Sequence, residues 1–251
     1  MMTIETRHDL EREITWVTVA GSLTTEHKHR LRTTIGKSLV ACPRAVIVDL
    51  TDFDDATGAA APLCHAAQAR ALRDYGVFLL WVRPARGRLR ARLANPFWHR
   101  VLRLFDDVPA AEAAVELGPT PPDRFTVTLE PDGFAPSQAR LQVHDACMAW
   151  SLPEAATVAR RIVFELVHNA ATHAATPLTL TVSRRGSYLH LAVRDGDPRP
   201  PTVLPNARRR VDLPGDGLHI IDRNATVWGC LCTARGKCVW AAIWLPRHQS
   251  R

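Results

Sequence analysis

Apolar and polar positions recur along the chain with two different periods, and these sort it into strands and helices. Residues 14–20, 45–50 and 77–82 are short, β-branched apolar runs, the pattern of buried strands. Between them, residues 24–40 and 58–75 repeat apolar side chains at helical spacing. Strand and helix alternate, which predicts an α/β unit. Beyond residue 118 the order changes. Two helices come first, over 136–150 and 153–175, and strands follow at 178–183, 188–194, 226–233 and 238–245. Gly186 and Gly236 stand in tight connections between consecutive strands, so this half reads as α+β with an antiparallel sheet. The segment Gly118-Pro-Thr-Pro-Pro-Asp123 concentrates prolines that neither a helix interior nor a central strand accepts. The expectation is two domains, 1–118 and 125–251, joined by a stiff linker at 119–124.

A length of 251 residues agrees with two domains. With 46% apolar and 23% charged residues, each half can bury a core, and a disordered or fibrous chain is excluded. No apolar run reaches about 18 residues and the first 13 are charged throughout, so neither a membrane span nor a signal peptide is expected, and the protein is placed in the cytoplasm. The net charge of +7 is carried almost wholly by arginine, since Lys28, Lys37 and Lys237 are the only lysines. Seven arginines between residues 83 and 103 accompany Phe97, Trp98 and His99, which has the look of a nucleic-acid surface. The interleaved Leu89, Leu93 and Val101 instead predict an amphipathic surface helix, and direct nucleic-acid binding is not expected. The six cysteines lack CxxC pairs and sit in apolar segments, as reduced structural thiols do.

The densest chemistry lies in the second half. Ser151-Leu-Pro-Glu154 has the form of a capping box opening a helix whose Ile162, Val163, Leu166, Val167 and Ala170 make an apolar stripe. Glu165, Asn169 and His173 recur every fourth residue and so share another face. A carboxamide there can hold magnesium, and a carboxylate one turn earlier can orient or deprotonate a nucleophile. The spacing alone equally describes a solvated helix face. Farther on, Asp195-Gly196-Asp197 ends a strand and presents Asp195 as an acceptor for a base amino group. Pro214-Gly215-Asp216-Gly217-Leu218 then opens a helix, where glycine amides and the helix dipole favour phosphate.

In this order the pieces resemble the GHKL (Bergerat) ATPase fold, and within it the anti-sigma-factor serine/threonine kinases. Glu165-Leu-Val-His-Asn169 is similar to that family's N box, Asp195 to its adenine-binding aspartate, and Gly215-Asp-Gly217-Leu218 to its second glycine box. Val227-Trp-Gly229 and Gly236-Lys237-Cys-Val-Trp240 resemble the closing strand pair. The resemblance covers roughly residues 125–246. It implies an ATP- and magnesium-dependent kinase with Glu165 as general base and Asn169 on the metal. It also implies a nucleotide site drawn from Asn169, His173, Asp195, Asp197, Gly215, Gly217, Leu218 and Lys237. One departure stands out: Asp197 occupies a place where the family has glycine, which adds a carboxylate near the nucleotide.

In the first half, the strand ending at Asp49 leads to Asp55-Ala-Thr57-Gly58 and a helix. A hydroxyl there is ordinarily a helix cap, and it is equally a place where the dipole tolerates phosphate while Asp54 and Asp55 repel it. Together with Val19-Ala-Gly21-Ser-Leu23 and Phe105-Asp-Asp-Val108, this segment resembles the STAS domain of anti-sigma-factor antagonists over residues 12–117. The resemblance implies Thr57 as phosphoacceptor. The combined expectation is a partner-switching regulator fusing an antagonist to a kinase. Its partners would be a sigma factor, a separate STAS antagonist or a second copy of the chain as a homodimer. Two other readings stay open: a docking module without phosphotransfer, and a nucleic-acid-binding regulator.

Overall fold

The computed structural model describes residues 2–118, 123–201 and 217–246, apart from the side chains of Thr25 and Glu26. Two compact units divide the chain, Met1–Thr120 and Pro121–Arg251. In the first, β1 (Thr3–Asp9), β2 (Ile14–Ser22), α1 (Thr25–Val40), β3 (Ala45–Asp49), β4 (Phe53–Asp54) and α2 (Ala60–Arg70) come first. A π-helical turn (Ala71–Tyr75) extends α2, and β5 (Phe78–Val82), α3 (Arg88–Leu93), α4 (Pro96–Val101), β6 (Leu104–Phe105) and α5 (Val108–Glu116) follow. The sheet runs β1-β2-β3-β5-β6, with β4 also paired to β2. Among the described residues, only the β1–β2 pairing of this sheet is antiparallel; β3, β4, β5 and β6 join in parallel.

Period-two alternation divides this sheet's side chains between two helical layers. Ile14, Trp16, Ala45, Ile47, Leu80 and Val82 form a core with Ala111 and Val115 of α5, and Trp16 Nε1 donates to Glu112 Oε1 at 3.0 Å. Trp81 faces the other way, donating its Nε1 to Gln68 Oε1 on α2 at 3.0 Å. The expected α/β order therefore holds, with corrections. β1 is an additional edge strand, which its sequence Thr-Ile-Glu-Thr-Arg-His-Asp hides because it has no apolar stripe. The single surface helix expected across residues 83–103 is two short ones, α3 and α4, separated where Asn95 caps α4 by accepting from the Phe97 amide at 2.9 Å.

The second unit holds β7 (Arg124–Leu129), α6 (Ala135–Ala149), α7 (Pro153–Ala174), β8 (Leu178–Arg185) and β9 (Tyr188–Asp195). Then come α8 (Gly217–Asn224), β10 (Val227–Thr233) and β11 (Gly236–Trp244). The sheet order is β10-β11-β9-β8-β7 and every pairing is antiparallel, as expected for the α+β half. Its inner face, including Leu180, Val182, Leu189, Leu191, Val193 and Ala241, packs on the apolar stripe of α7 and on α6. Arg124, counted in the linker from sequence, begins β7, and residues 119–122 lie outside the described residues. The capping box expected at Ser151 does not form. Ser151 takes a left-handed φ of 56° and its amide donates back to the Met148 carbonyl, so it closes α6 and does not open α7. Leu152 is the residue that precedes the first turn of α7, without a side-chain cap.

Candidate functional site

The loop before α2 is organised by one buried carboxylate. Asp55 Oδ1 accepts from the Thr57 amide at 3.0 Å and from Thr57 Oγ1 at 2.7 Å, while Oδ2 accepts from the Ala60 amide at 2.7 Å. The capping role therefore belongs to Asp55, which has no solvent exposure, and not to Thr57. Thr57 is exposed, and its oxygen accepts from the Ala59 amide at 3.2 Å. Gly58 follows at φ 69°, a left-handed conformation that glycine adopts without strain. Asp54 is exposed beside it and points towards Gly87, where a Cβ would come within 2.9 Å of Oδ1.

In the second unit, α7 carries Glu165 and Asn169 one turn apart, both half-buried. They meet the start of α8. A Cβ on Gly217 would stand 2.8 Å from Glu165 Oε2 and 3.1 Å from both Asn169 Oδ1 and Nδ2, so any side chain there would displace them. Burial raises the Glu165 carboxyl above the ordinary carboxylate range, and nearby His168 draws it partly back. Such a carboxylate is a stronger proton acceptor than an exposed one. Leu218, next in the chain, is buried in the core and anchors this approach. His173 lies exposed in the last turn of α7, two turns beyond Glu165. Gly215 lies outside the described residues.

At the far end of β9, Asp195 is paired in register with Lys237 of β11. Lys237 Nζ donates to Asp195 Oδ1 at 3.0 Å and to the Asp197 carbonyl at 3.2 Å, and it pairs with Asp197 Oδ2 at 3.4 Å. The Asp197 amide adds a second donor to Asp195 Oδ1 at 2.9 Å. Arg199, bonded to Asp197 through Nε at 2.9 Å, holds that carboxyl far below the usual carboxylate range, with Lys237 contributing. Asp197 is thus neutralised by its own surroundings. Lys237 acts as the support of Asp195, a role its sequence position did not disclose. Gly236 makes the pairing possible: at φ 144°, a Cβ would lie 2.1 Å from the Asp195 carbonyl oxygen. Thr176, unremarked in the sequence, accepts from the Gly196 amide at 2.9 Å and fixes the turn.

These residues fit an adenine nucleotide on one specific observation. Asp195 Oδ2 is buried and, among the described residues, has no hydrogen-bond donor. A buried acceptor left in this way is costly unless a donor arrives, and an exocyclic amine is one. The described residues hold no cluster of three or more His, Cys, Asp or Glu arranged for a metal. Magnesium, which keeps waters and phosphate oxygens as most of its ligands, needs only one or two protein oxygens such as Asn169 Oδ1. The cysteines form no disulfide among the described residues, and no described helix is long and apolar enough to cross a membrane.

No family model matches the chain, and no curated protein does. Solved structures align with about half of it. The RsbU and RsbW domains of a Mycobacterium tuberculosis protein align at 16% identity and a TM-score of 0.40, over 52% of this chain and 34% of that one. An anti-sigma factor antagonist from Mycobacterium paratuberculosis aligns at 19% identity and a TM-score of 0.38, over 46% of this chain and 95% of its own. The anti-sigma factor antagonist SpoIIAA in its unphosphorylated form aligns at 12% and 0.38, over 47% and 99%. The match thus spans about a third of the first of these chains and nearly all of the other two.

Proposed function

We propose that the chain is a partner-switching regulator in which a STAS-type antagonist unit is joined to an ATP-dependent serine/threonine kinase unit of the GHKL type. The observation that carries the reading is the set formed by Glu165, Asn169 and Gly217, in which two motifs distant in sequence meet within contact distance. The buried, donor-free Asp195 Oδ2 adds the base-recognition element. Glu165 would take the proton of an acceptor hydroxyl, Asn169 Oδ1 would hold magnesium, and Asp195 would receive the adenine amine. Lys237 and the Asp197 amide keep the Asp195 carboxylate turned for that contact. Bound ATP would supply the transferable phosphoryl group and magnesium the charge to offset it. Thr57 is the candidate acceptor on the antagonist unit, in its own chain, in a second copy, or through its counterpart on a separate antagonist protein.

Incubation of the protein with labelled ATP and magnesium tests this directly. Label is expected on the chain and lost in Thr57→Ala; label that persists in that variant would remove Thr57 as the acceptor. Absence of both ATP binding and label would overturn the reading of the second unit. Binding by calorimetry without transfer would favour the docking alternative.

The raised Glu165 carboxyl gives a pH signature. A general base works deprotonated, so the transfer rate should fall as pH drops through its folded value. Because burial raises that value, the acid limb is expected above the ordinary glutamate value of about 4.3. Initial rates between pH 4 and 8 would measure it, and a limb at or below that value would remove Glu165 as the base.

A further inference from the structure

Two arginines of α3 converge on the loop that carries Thr57. Arg88 and Arg92 are four residues apart and so share a helix face. Arg88 Nη1 donates to the Ala56 carbonyl oxygen at 3.2 Å. Arg92 lies over Gly58, where a Cβ would be 2.9 Å from its Nη1 and 3.3 Å from its Cδ. Thr57 sits between these two anchor points, exposed. Their helix neighbour Arg90 is paired with Asp106 at 3.7 Å, but neither Arg88 nor Arg92 has a carboxylate partner among the described residues.

We propose that Arg88 and Arg92 form a receiving site for the phosphate of phosphorylated Thr57, so that modification ties α3 to the loop before α2. This rests on the assignment of Thr57 as the acceptor and names how that modification is read within the chain. Phosphorylation removes the hydroxyl hydrogen that Thr57 gives to Asp55, and it adds a charge of about −1.5 to −2. Asp55, with both oxygens committed to backbone donors, and exposed Asp54 both repel that charge. Against that repulsion, the two guanidinium groups of α3 present forked N–H donors suited to phosphate oxygens. Gly58 matters because a side chain there would hold Arg92 off the loop. Unmodified, the surface beside Thr57 carries two cations with no carboxylate partner among the described residues; modified, those cations are engaged, so a partner meets a face of different charge.

The full chain with phosphothreonine installed at position 57 during synthesis provides the test, read by phosphorus NMR titration. Guanidinium contact favours the dianion, so the second ionisation of the phosphate should rise by roughly half a pH unit on Arg92→Gln and further in the Arg88→Gln, Arg92→Gln double variant. Arg92→Lys should fall between, because it keeps the charge and loses the fork. Arg100→Gln on α4 serves as the control and should leave the midpoint unchanged. If the parent and the double variant titrate together, or the control moves as far as Arg92→Gln, the proposal is overturned. The phosphate arrives without a kinase here. A chain whose Thr57 takes no label from ATP would therefore defeat the functional reading while leaving this measurement decisive for the arginines.

Discussion

Lys237→Met is expected to destabilise the second unit by about 3–5 kcal/mol, the usual cost of removing one partner from a buried ion pair. Both side chains are almost fully withdrawn from solvent, 7% exposed for Lys237 and 0% for Asp195. Without the ammonium, the Asp195 carboxylate would keep only the Asp197 amide as a donor. The midpoint of urea unfolding, followed by hydrogen exchange at the β9 and β11 amides, measures the loss. Pairing Lys237→Met with Asp195→Leu should recover most of it, because two well-packed apolar side chains leave no stranded charge. An unchanged midpoint in the single variant would show that the pair is screened by solvent and holds nothing in place. The double variant should also fail to bind ATP while folding normally, which separates support of the fold from recognition of the base.

Glu165→Gln should slow phosphoryl transfer by about 10²- to 10⁴-fold, the range that a positioned general base supplies. Glutamine keeps the size of the side chain, and Gly217 leaves it room, so ATP affinity should change little. Single-turnover rates beside calorimetric affinities distinguish the two effects. A variant that transfers as fast as the parent would leave Glu165 as a structural residue, and one that loses binding would place it in nucleotide contact.

Periodicity disclosed most of the fold because most elements bury one face. The stripe of α7 from Ile162 to Ala170 and the alternation in β8 and β9 could be read directly, and all are found in the core. β7 (Arg124–Leu129) alternates as well, in Phe125, Val127 and Leu129, and still went unread directly after the prolines; the other omissions have a physical cause. β1 lies at a sheet edge with much of its surface in solvent, so selection for burial leaves no pattern in it. β4 and β6 are two residues each, shorter than any period. At Ser151 the local rule lost to the end of α6, whose last turn takes the residue for itself.

The candidate site divides in the same way. Glu165 and Asn169 share a helix, so their relation is visible at a spacing of four. The Asp195–Lys237 pair depends on the register of two strands distant in sequence, and the Arg88 and Arg92 approach to Thr57 depends on where α3 folds back. Neither follows from any local motif. Asp197 was legible as an added carboxylate but not as one already neutralised by Arg199 and Lys237.

The hydrogen bond from Thr57 Oγ1 to Asp55 has a kinetic meaning. At 2.7 Å to a buried carboxylate, the proton that any phosphorylating enzyme must remove is turned inward, away from the solvent side from which a kinase would approach. For Thr57 to accept phosphate as proposed, this charge-assisted bond must break first, which costs about 1.5–3 kcal/mol and leaves only about one molecule in ten to one in a hundred and fifty with the hydroxyl released at a given moment. On the proposed assignment, Thr57 is held back by its own aspartate. Asp55→Asn, a weaker acceptor, would raise the open population and could speed modification even as it loosens the start of α2.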